Sequence, residues 1–209
     1  MNYKPDNPII IQGDKSVLLE VDNPHYQAAR DVLARFAELE KSPEYIHTYR
    51  ITPLSLWNAA SAGMDAESIL AGLARYSKYP IPDNVRVDIA DFISRYGRVK
   101  LQWQESDLVL VSEDQLLIVE LARHKRLIPH IAAQIDPYTL RMDPARRGHI
   151  KQALVEIGYP AEDLAGYVEG EALAIALRPT TVGEKPFVLR RYQREACLLY
   201  TSPSPRDRS

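Results

Sequence analysis

The sequence predicts an α+β fold with an N-terminal hairpin and helix, a winged-helix-like centre and a small C-terminal α/β unit. Short β-prone runs alternate with segments in which apolar residues recur at helical spacing. In the middle of the chain, three helix patterns precede two strand patterns, which is the order of a winged helix. The composition, 45% hydrophobic and 26% charged residues among 209, is typical of a globular protein.

The first predicted elements are a hairpin and a helix. Two β-prone runs, residues 8–11 and 17–21, flank a turn-rich tetrapeptide at 12–15. Asn23-Pro24 has the pattern of an N-cap followed by proline at the first helical position. The spacing of apolar residues predicts a helix over roughly 24–40. Its predicted inner stripe consists of Ala28, Val32, Phe36 and Leu39.

The winged-helix-like centre covers about residues 52–112. Thr52-Pro53 begins its first helix, and Asp65 can cap the second. The third follows Pro80–Asp83 and ends at Gly97, after which 99–103 and 108–111 form a hairpin. The outward residues of the third helix are mostly acidic, which favours packing against protein over reading of DNA bases. These outward residues are Asp83, Arg86, Asp88, Asp91 and Arg95.

The C-terminal unit begins with a helix for which Ser112 and Gln115 have capping-box spacing. Residues 138–142 read as a strand. Asp143-Pro144 opens a further helix that Gly158 ends. Residues 168–187 lose periodicity and are interpreted as a linker, and 197–209 as a disordered tail unrelated to the fold.

Composition and motifs exclude several classes of function. The formal net charge is −2, so any nucleic-acid contact must come from local patches. The single cysteine, Cys197, excludes a disulfide framework. Nucleotide P-loop, zinc-protease and serine-hydrolase motifs are absent, and the histidines lack metal-ligand spacing, so neither catalytic residues nor a metal site are predicted. No stretch is apolar enough to cross a membrane, and a cytoplasmic location is expected.

Local basic patches are the candidate DNA contacts. Arg141, Arg146, Arg147 and Lys151 cluster in sequence, and two of them fall in the first turns of a helix, where the dipole disfavours cations. Such placement suggests an anionic partner, such as a DNA backbone. A salt-bridged face to Glu156, Glu162 or Asp163 explains it equally well. Two further cations lie at the predicted wing, where they can contact phosphate or merely solvate an edge strand. These are Arg98 and Lys100.

The most specific motif is Leu-Arg-Arg-Tyr-Gln-Arg-Glu-Ala at 189–196. It resembles the opening motif of the first motor domain in superfamily-two helicases. Blocks over roughly 7–196 resemble, in order, the N-terminal region of bacterial XPB-type DNA helicases. The resemblance implies that Gln193 binds adenine of ATP, since an amide both donates and accepts, with Arg190 and Tyr192 beside it. The matching blocks are 11–14, 18–22, 36–44, 46–58 and 159–171.

The resemblance implies an ATP-dependent 3′→5′ DNA helicase or translocase that acts in repair or transcription-linked opening of duplex DNA. Residues 1–167 would be its accessory region and 188–196 the start of a truncated RecA-like motor. ATP and Mg²⁺ belong to the full-length family, and the chain alone is expected to lack ATPase activity. Expected partners are DNA, the missing motor domains and a nuclease. The alternatives are a protein-docking module without DNA contact and a free-standing winged-helix regulator.

Overall fold

A computed structural model describes residues 3–166 and, beyond them, 180, 186, 188 and 190–192. The backbone divides into two units, Met1–Tyr167 and Val168–Ser209. In the second unit, Thr180 and Pro186 form an antiparallel bridge, and Arg191 and Tyr192 are helical. Most of the predicted linker, Gln193 and the predicted tail at 197–209 lie outside the described residues.

The first unit contains two sheets. The four-stranded sheet, in the order β1-β2-β4-β3, is antiparallel throughout. The predicted N-terminal hairpin is confirmed as β1 and β2, whose register pairs Ile9 with Leu19 and Ile11 with Val17. Its strands are β1 (Ile9–Ile11), β2 (Ser16–Glu20), β3 (Glu38–Lys41) and β4 (Ile46–Arg50).

The helix predicted over 24–40 is wrong in its second half. Helix α1 runs only from Tyr26 to Leu33, and Glu38–Lys41 forms β3. Ala29 and Leu33 are the buried residues of α1, whereas Leu39 is exposed and pairs with Tyr49 of β4. Strand pairing therefore overrides the helical propensity of the Glu-Leu-Glu-Lys segment.

Three further helices pack with α1 and this sheet around the first hydrophobic core. Thr52 caps α2 through a capping box with Ser55, and Asp65 caps α3 by accepting from the Ser68 amide, as predicted. The indole of Trp57 donates to the Phe92 carbonyl at 2.9 Å and joins α2 to α4. The helices are α2 (Pro53–Ser61), α3 (Ala66–Tyr76) and α4 (Asp83–Arg95).

The five-stranded sheet has the order β7-β8-β6-β5-β9, and only the β5–β9 pair is parallel. Two helices pack on one side of it and form the second hydrophobic core. The strands are β5 (Val99–Gln104), β6 (Asp107–Val111), β7 (Ile131–Asp136), β8 (Thr139–Met142) and β9 (Ala161–Asp163). The helices are α5 (Gln115–Arg123) and α6 (Arg147–Ile157), with 3-10 turns at Ile128–His130 and Pro144–Arg146.

The mixed α+β class and the order of helices and hairpin in the centre are confirmed, but winged-helix packing is not. Helices α2, α3 and α4 contribute to the first core, whereas Leu101 and Leu110 of the hairpin contribute to the second. The hairpin is also no free wing, because β9 flanks β5 and β8 flanks β6. It forms the middle of a sheet instead of a projecting ribbon.

The ends of the C-terminal helices follow the sequence signals with one exception. The predicted capping box at Ser112 is wrong, because the Asp114 carboxylate accepts from the amides of Leu116 and Leu117 and caps α5. Ser112 is buried and donates to the Arg98 carbonyl at 2.7 Å instead. Gly158 ends α6 with a φ of 96°, a left-handed conformation that favours glycine.

Candidate nucleic-acid interface

Sheet register brings Lys100 and Arg141, which are distant in sequence, to the same face of the five-stranded sheet. Along β5 and β8 they alternate with Leu101 and Leu140, which belong to the second core, so they project from the opposite side. Gln102 shares this side, two residues along β5 from Lys100, and it lies two strands from Arg141, because Val109 of β6 pairs with both Gln102 and Arg141. The name "polar sheet face" refers below to Lys100, Gln102 and Arg141 together with Val109 and Val111 between them.

The cations of the polar sheet face have at most weak ion pairs within the described part of the chain. Arg141 lies 3.7 Å from a carboxylate oxygen of Asp107, and both side chains are almost half exposed. Lys100 has no ion-pair partner in the described part of the chain. Exposed ion pairs of this kind contribute little free energy, because water solvates and screens both charges. Arg141 can therefore exchange its partner for an external anion at low cost.

A cleft of about 490 Å³ opens at one end of the polar sheet face, between the end of α4 and the start of α5. Arg98 lines it and donates to Asp114 at 2.6 Å, with the guanidinium 5.8 Å from the ring centroid of Tyr159. Lys100 and Gln102 line the same cleft. Arg98 is therefore brought next to Lys100, but it is committed to the cap of α5.

Arg147 and Lys151 are placed differently from the other predicted contacts. They lie on α6, which packs on the core side of the sheet, and both bind Asp163 of β9. The Nη2 atom of Arg147 lies 2.6 Å and the Nζ atom of Lys151 2.8 Å from the carboxylate oxygens of Asp163. Arg147 also donates to the Gly166 carbonyl. This contact, called the Asp163 clamp below, matches the salt-bridged interpretation of these two cations.

The charge state of the clamp follows from its contacts. The Asp163 side chain is only 16% exposed. Burial alone would raise the pKa of Asp163, but hydrogen bonds from Lys151 and Arg147 outweigh burial and hold the pKa below its ordinary value. Asp163 is therefore an ionised anchor that joins β9 to α6. The sequence named it only as one of several possible acidic partners.

Arg146 lies at the end of the 3-10 turn, 3.7 Å from the Asp143 carboxylate, and its side chain is 53% exposed. It is thus available to solvent, although it is not on the polar sheet face.

The predicted ATP contacts are in the second unit. Arg190 and Tyr192 are exposed there, and Gln193 lies outside the described residues. The adenine contact of these residues stays a prediction.

The outward face of α4 is as acidic as predicted, and part of it is engaged within the chain. Asp88 pairs with Lys15 at 2.5 Å, and Asp91 pairs with Arg95 at 2.7 Å. Asp83 and Arg86 are exposed. Val87, also on α4, is 66% exposed beside these charges. The exposed surface of the helix therefore carries both signs of charge, with the apolar side chain of Val87 among them.

Within the described residues, no cluster of three or more His, Cys, Asp or Glu side chains is arranged to hold a metal ion. None of the helices in that part of the chain is long and apolar enough to cross a membrane.

Comparison with known proteins identifies relatives over most of the chain. The family profile described as "Helicase conserved C-terminal domain" matches residues 9–136. The DNA 3′-5′ helicase XPB of Mycobacterium tuberculosis is 49% identical over 192 residues, which cover 91% of this chain and 34% of that protein. The protein of the same name from Kineococcus radiotolerans is 47% identical with the same coverage.

A eukaryotic relative is more distant. The general transcription and DNA repair factor IIH helicase/translocase subunit XPB of Encephalitozoon cuniculi is 30% identical over 196 residues, covering 92% of this chain and 28% of that protein. The chain thus spans about a third of the length of the bacterial relatives. It belongs to the helicase conserved C-terminal domain family and is a fragment related to the bacterial XPB-type DNA helicases.

Proposed function

We propose that this chain is the N-terminal accessory region of an ATP-dependent 3′→5′ DNA helicase or translocase, and that it engages the backbone of duplex DNA. The names of its relatives support the helicase assignment. The observation that carries the DNA contact is the shared position of Lys100 and Arg141 on the polar sheet face. Two cations on one surface neutralise neighbouring phosphates more effectively than cations that point in different directions.

The residues of this face fit phosphate more closely than they fit bases. Lysine, arginine and glutamine side chains all donate hydrogen bonds to phosphate oxygens. The described residues of the polar sheet face include no aromatic ring on which a base could stack, so an affinity that depends on sequence or on unpaired bases is not expected. Arg146 extends the predicted contact beyond this face, and Arg98 would do so only by giving up its ion pair with Asp114, whereas Arg147 and Lys151 support the fold through the Asp163 clamp.

Charge reversal tests the proposal. Lys100→Glu combined with Arg141→Glu should weaken binding of a fluorescent duplex by about tenfold or more at low salt, because two attractions become repulsions. Arg35→Glu with Lys41→Glu is the matched control, since both residues are exposed cations of the first half of the unit. Equal losses for the two double variants, or no duplex binding by the unchanged chain, would overturn the DNA contact.

The motor activity is proposed for the longer protein only. ATP and Mg²⁺ would act in the motor domains of the longer protein, with Gln193, Arg190 and Tyr192 at the edge of the adenine site. Association with a nuclease and a cytoplasmic location remain predictions from the sequence. Purified chain should not hydrolyse ATP, and turnover that depends on DNA and disappears in Gln193→Ala would contradict this.

A second candidate function is docking to another protein without DNA contact, such as bracing of the motor domains. The surface of α4 favours it, because the apolar side chain of Val87 is exposed beside the charged residues Asp83 and Arg86. In this case Asp83→Lys with Val87→Ser should weaken binding to motor domains supplied as a separate polypeptide, and duplex affinity should not change. If the Asp83 and Val87 variant binds the motor domains normally, and the Lys100 and Arg141 variant loses duplex affinity, DNA engagement remains the function.

A further inference from the structure

Two tyrosines stack on the surface beside the C-terminal end of α3. Tyr3, from the segment before β1, and Tyr79, from the loop between α3 and α4, have ring centroids 5.2 Å apart and an interplanar angle of 29°. Both residues are about half exposed, and neither belongs to the first hydrophobic core. Packing of the core therefore does not explain this exposed aromatic surface, which is called the tyrosine stack below.

Hydrogen bonds fix the backbone that carries the tyrosine stack. The amide of Lys4 donates to the Lys78 carbonyl at 2.9 Å. The Asn7 side chain donates to the Ser77 carbonyl at 2.9 Å, and the Ser77 hydroxyl donates to the carbonyl of Tyr79 at 2.7 Å. Because both rings are attached to anchored backbone, a ligand that stacks on them orders little additional protein, which favours binding.

Two cations lie beside the tyrosine stack. Lys4 and Arg86 are exposed and line a groove of about 170 Å³ together with Tyr79. The ammonium of Lys4 donates to the neutral carbonyl of Ala74 at 3.2 Å, and neither cation has an ion-pair partner among the residues that the structure describes. An external anion can therefore bind Lys4 and Arg86 without displacing a carboxylate of the chain.

Exposed rings next to unneutralised cations suit an unpaired nucleic-acid strand. Every nucleobase has a π-face that can stack on an aromatic side chain, and lysine and arginine bind the phosphates of the same strand. Duplex DNA fits less well, because its bases already stack on one another. A proline-rich peptide also docks on aromatic rings, but it needs no cations beside them. The combination of rings and cations therefore favours a single strand.

We propose that the tyrosine stack, with Lys4 and Arg86, binds single-stranded DNA. A base stacks on the exposed aromatic surface of Tyr3 or Tyr79, and the two cations hold neighbouring phosphates. The site differs from the polar sheet face, which carries no aromatic ring and engages the backbone of a duplex. It goes beyond the proposed function and does not depend on it, since it gives the chain a contact for a strand that has been separated from its complement.

Fluorescence anisotropy with a short labelled oligothymidylate tests whether bases are recognised. An abasic oligomer of the same length is the reference probe, because it has the same phosphates and no bases. The unchanged chain should bind the oligothymidylate at least about fivefold more tightly than the abasic oligomer, as expected when a base stacks on a ring. Equal affinities would mean that charge alone attracts the strand and would overturn the proposal.

Variants of the rings test the tyrosine stack itself. Tyr3→Ala with Tyr79→Ala should weaken oligothymidylate binding by roughly fivefold or more and leave binding of the abasic oligomer unchanged. Tyr3→Phe with Tyr79→Phe keeps both rings and should retain the affinity. Tyr45→Ala is the control, because Tyr45 is an exposed tyrosine just before β4. Equal effects of Tyr45→Ala and the double alanine variant, or a matching loss in the phenylalanine variant, would contradict stacking.

The variant Lys100→Glu with Arg141→Glu separates this site from the duplex contact. It should retain oligothymidylate affinity, and the double alanine variant of the tyrosine stack should retain duplex affinity. Loss of oligothymidylate binding in the Lys100 and Arg141 variant alone would place the single strand on the polar sheet face and overturn the proposal. If only the tyrosine variant loses oligothymidylate affinity and neither variant changes duplex affinity, the single-strand site stands and the duplex contact fails.

Discussion

The guanidinium of Arg147 lies 2.6 Å from the carboxylate of Asp163, and this ion pair fixes β9 to the first turn of α6. Lys151, one turn further along α6, binds the second oxygen of the same carboxylate. The pairing explains why cations occupy a helix start, where the dipole disfavours them. A carboxylate supplied by the following strand compensates for the unfavourable position.

Removing the negative charge from the clamp should destabilise the first unit. Asp163→Asn keeps the size of the side chain but removes the carboxylate charge that Arg147 and Lys151 share. Because Asp163 is only 16% exposed, we expect a loss of about 2 kcal/mol in the free energy of unfolding. Urea denaturation measures it. A loss within experimental error would mean that the clamp contributes nothing to the fold.

The contribution of Asp163 should also depend on pH. Its pKa in the folded chain is lowered, so its stabilisation is fully present above the unfolded pKa of about 4 and is lost as the pH falls through the folded value. The stability difference between the unchanged chain and Asp163→Asn should be constant from about pH 5 to 8 and shrink below about pH 4. A difference that grows on acidification would have the opposite sign and would contradict the assignment.

Arg147 and Arg141 should differ in their effects on stability. Arg147→Gln breaks the ion pair with Asp163 and should cost about 1 to 2 kcal/mol. Arg141→Gln breaks only the exposed 3.7 Å contact with Asp107 and should change stability by less than about 0.5 kcal/mol. Parallel denaturant titrations compare them, and equal losses would show that burial does not distinguish the two sites.

The cap of α5 gives a further expectation. Asp114→Ala removes an acceptor for the Leu116 and Leu117 amides and should cost about 1 kcal/mol. Its ion pair with Arg98 is exposed and adds little. Asp114→Ser preserves a capping oxygen and should recover most of the loss in thermal unfolding. If serine and alanine destabilise equally, the ion pair matters more than the cap.

The sequence predicts local features well and non-local pairing poorly. Thr52 and Asp65 were recognisable as caps, because a cap needs only residues three positions apart. Strand β3 was missed, because the residues of 38–41 become a strand only by pairing with β4. The parallel partner β9 was missed for the same reason, and with it the position of Asp163 opposite Leu101.

The candidate interface also depends on non-local strand pairing that the sequence does not reveal. The sequence grouped Arg141, Arg146, Arg147 and Lys151 because they are close along the chain. Strand alternation places Arg141 on the side of the sheet opposite α6, so the group divides between two surfaces. Lys100 joins Arg141 only through the register of β5, β6 and β8. The separation of Arg141 from the cations of α6 and its grouping with Lys100 both depend on strand pairing, so spacing along the sequence does not reveal them.

The salt dependence of duplex affinity tests the proposed DNA contact most directly. Neutralising both cations with Lys100→Gln and Arg141→Gln should reduce the slope of log K against log salt concentration by roughly 2, because about two fewer counterions are released from the DNA. Arg35→Gln with Lys41→Gln should leave the slope of the unchanged chain. An unchanged slope in the Lys100 and Arg141 variant would contradict DNA binding by the polar sheet face.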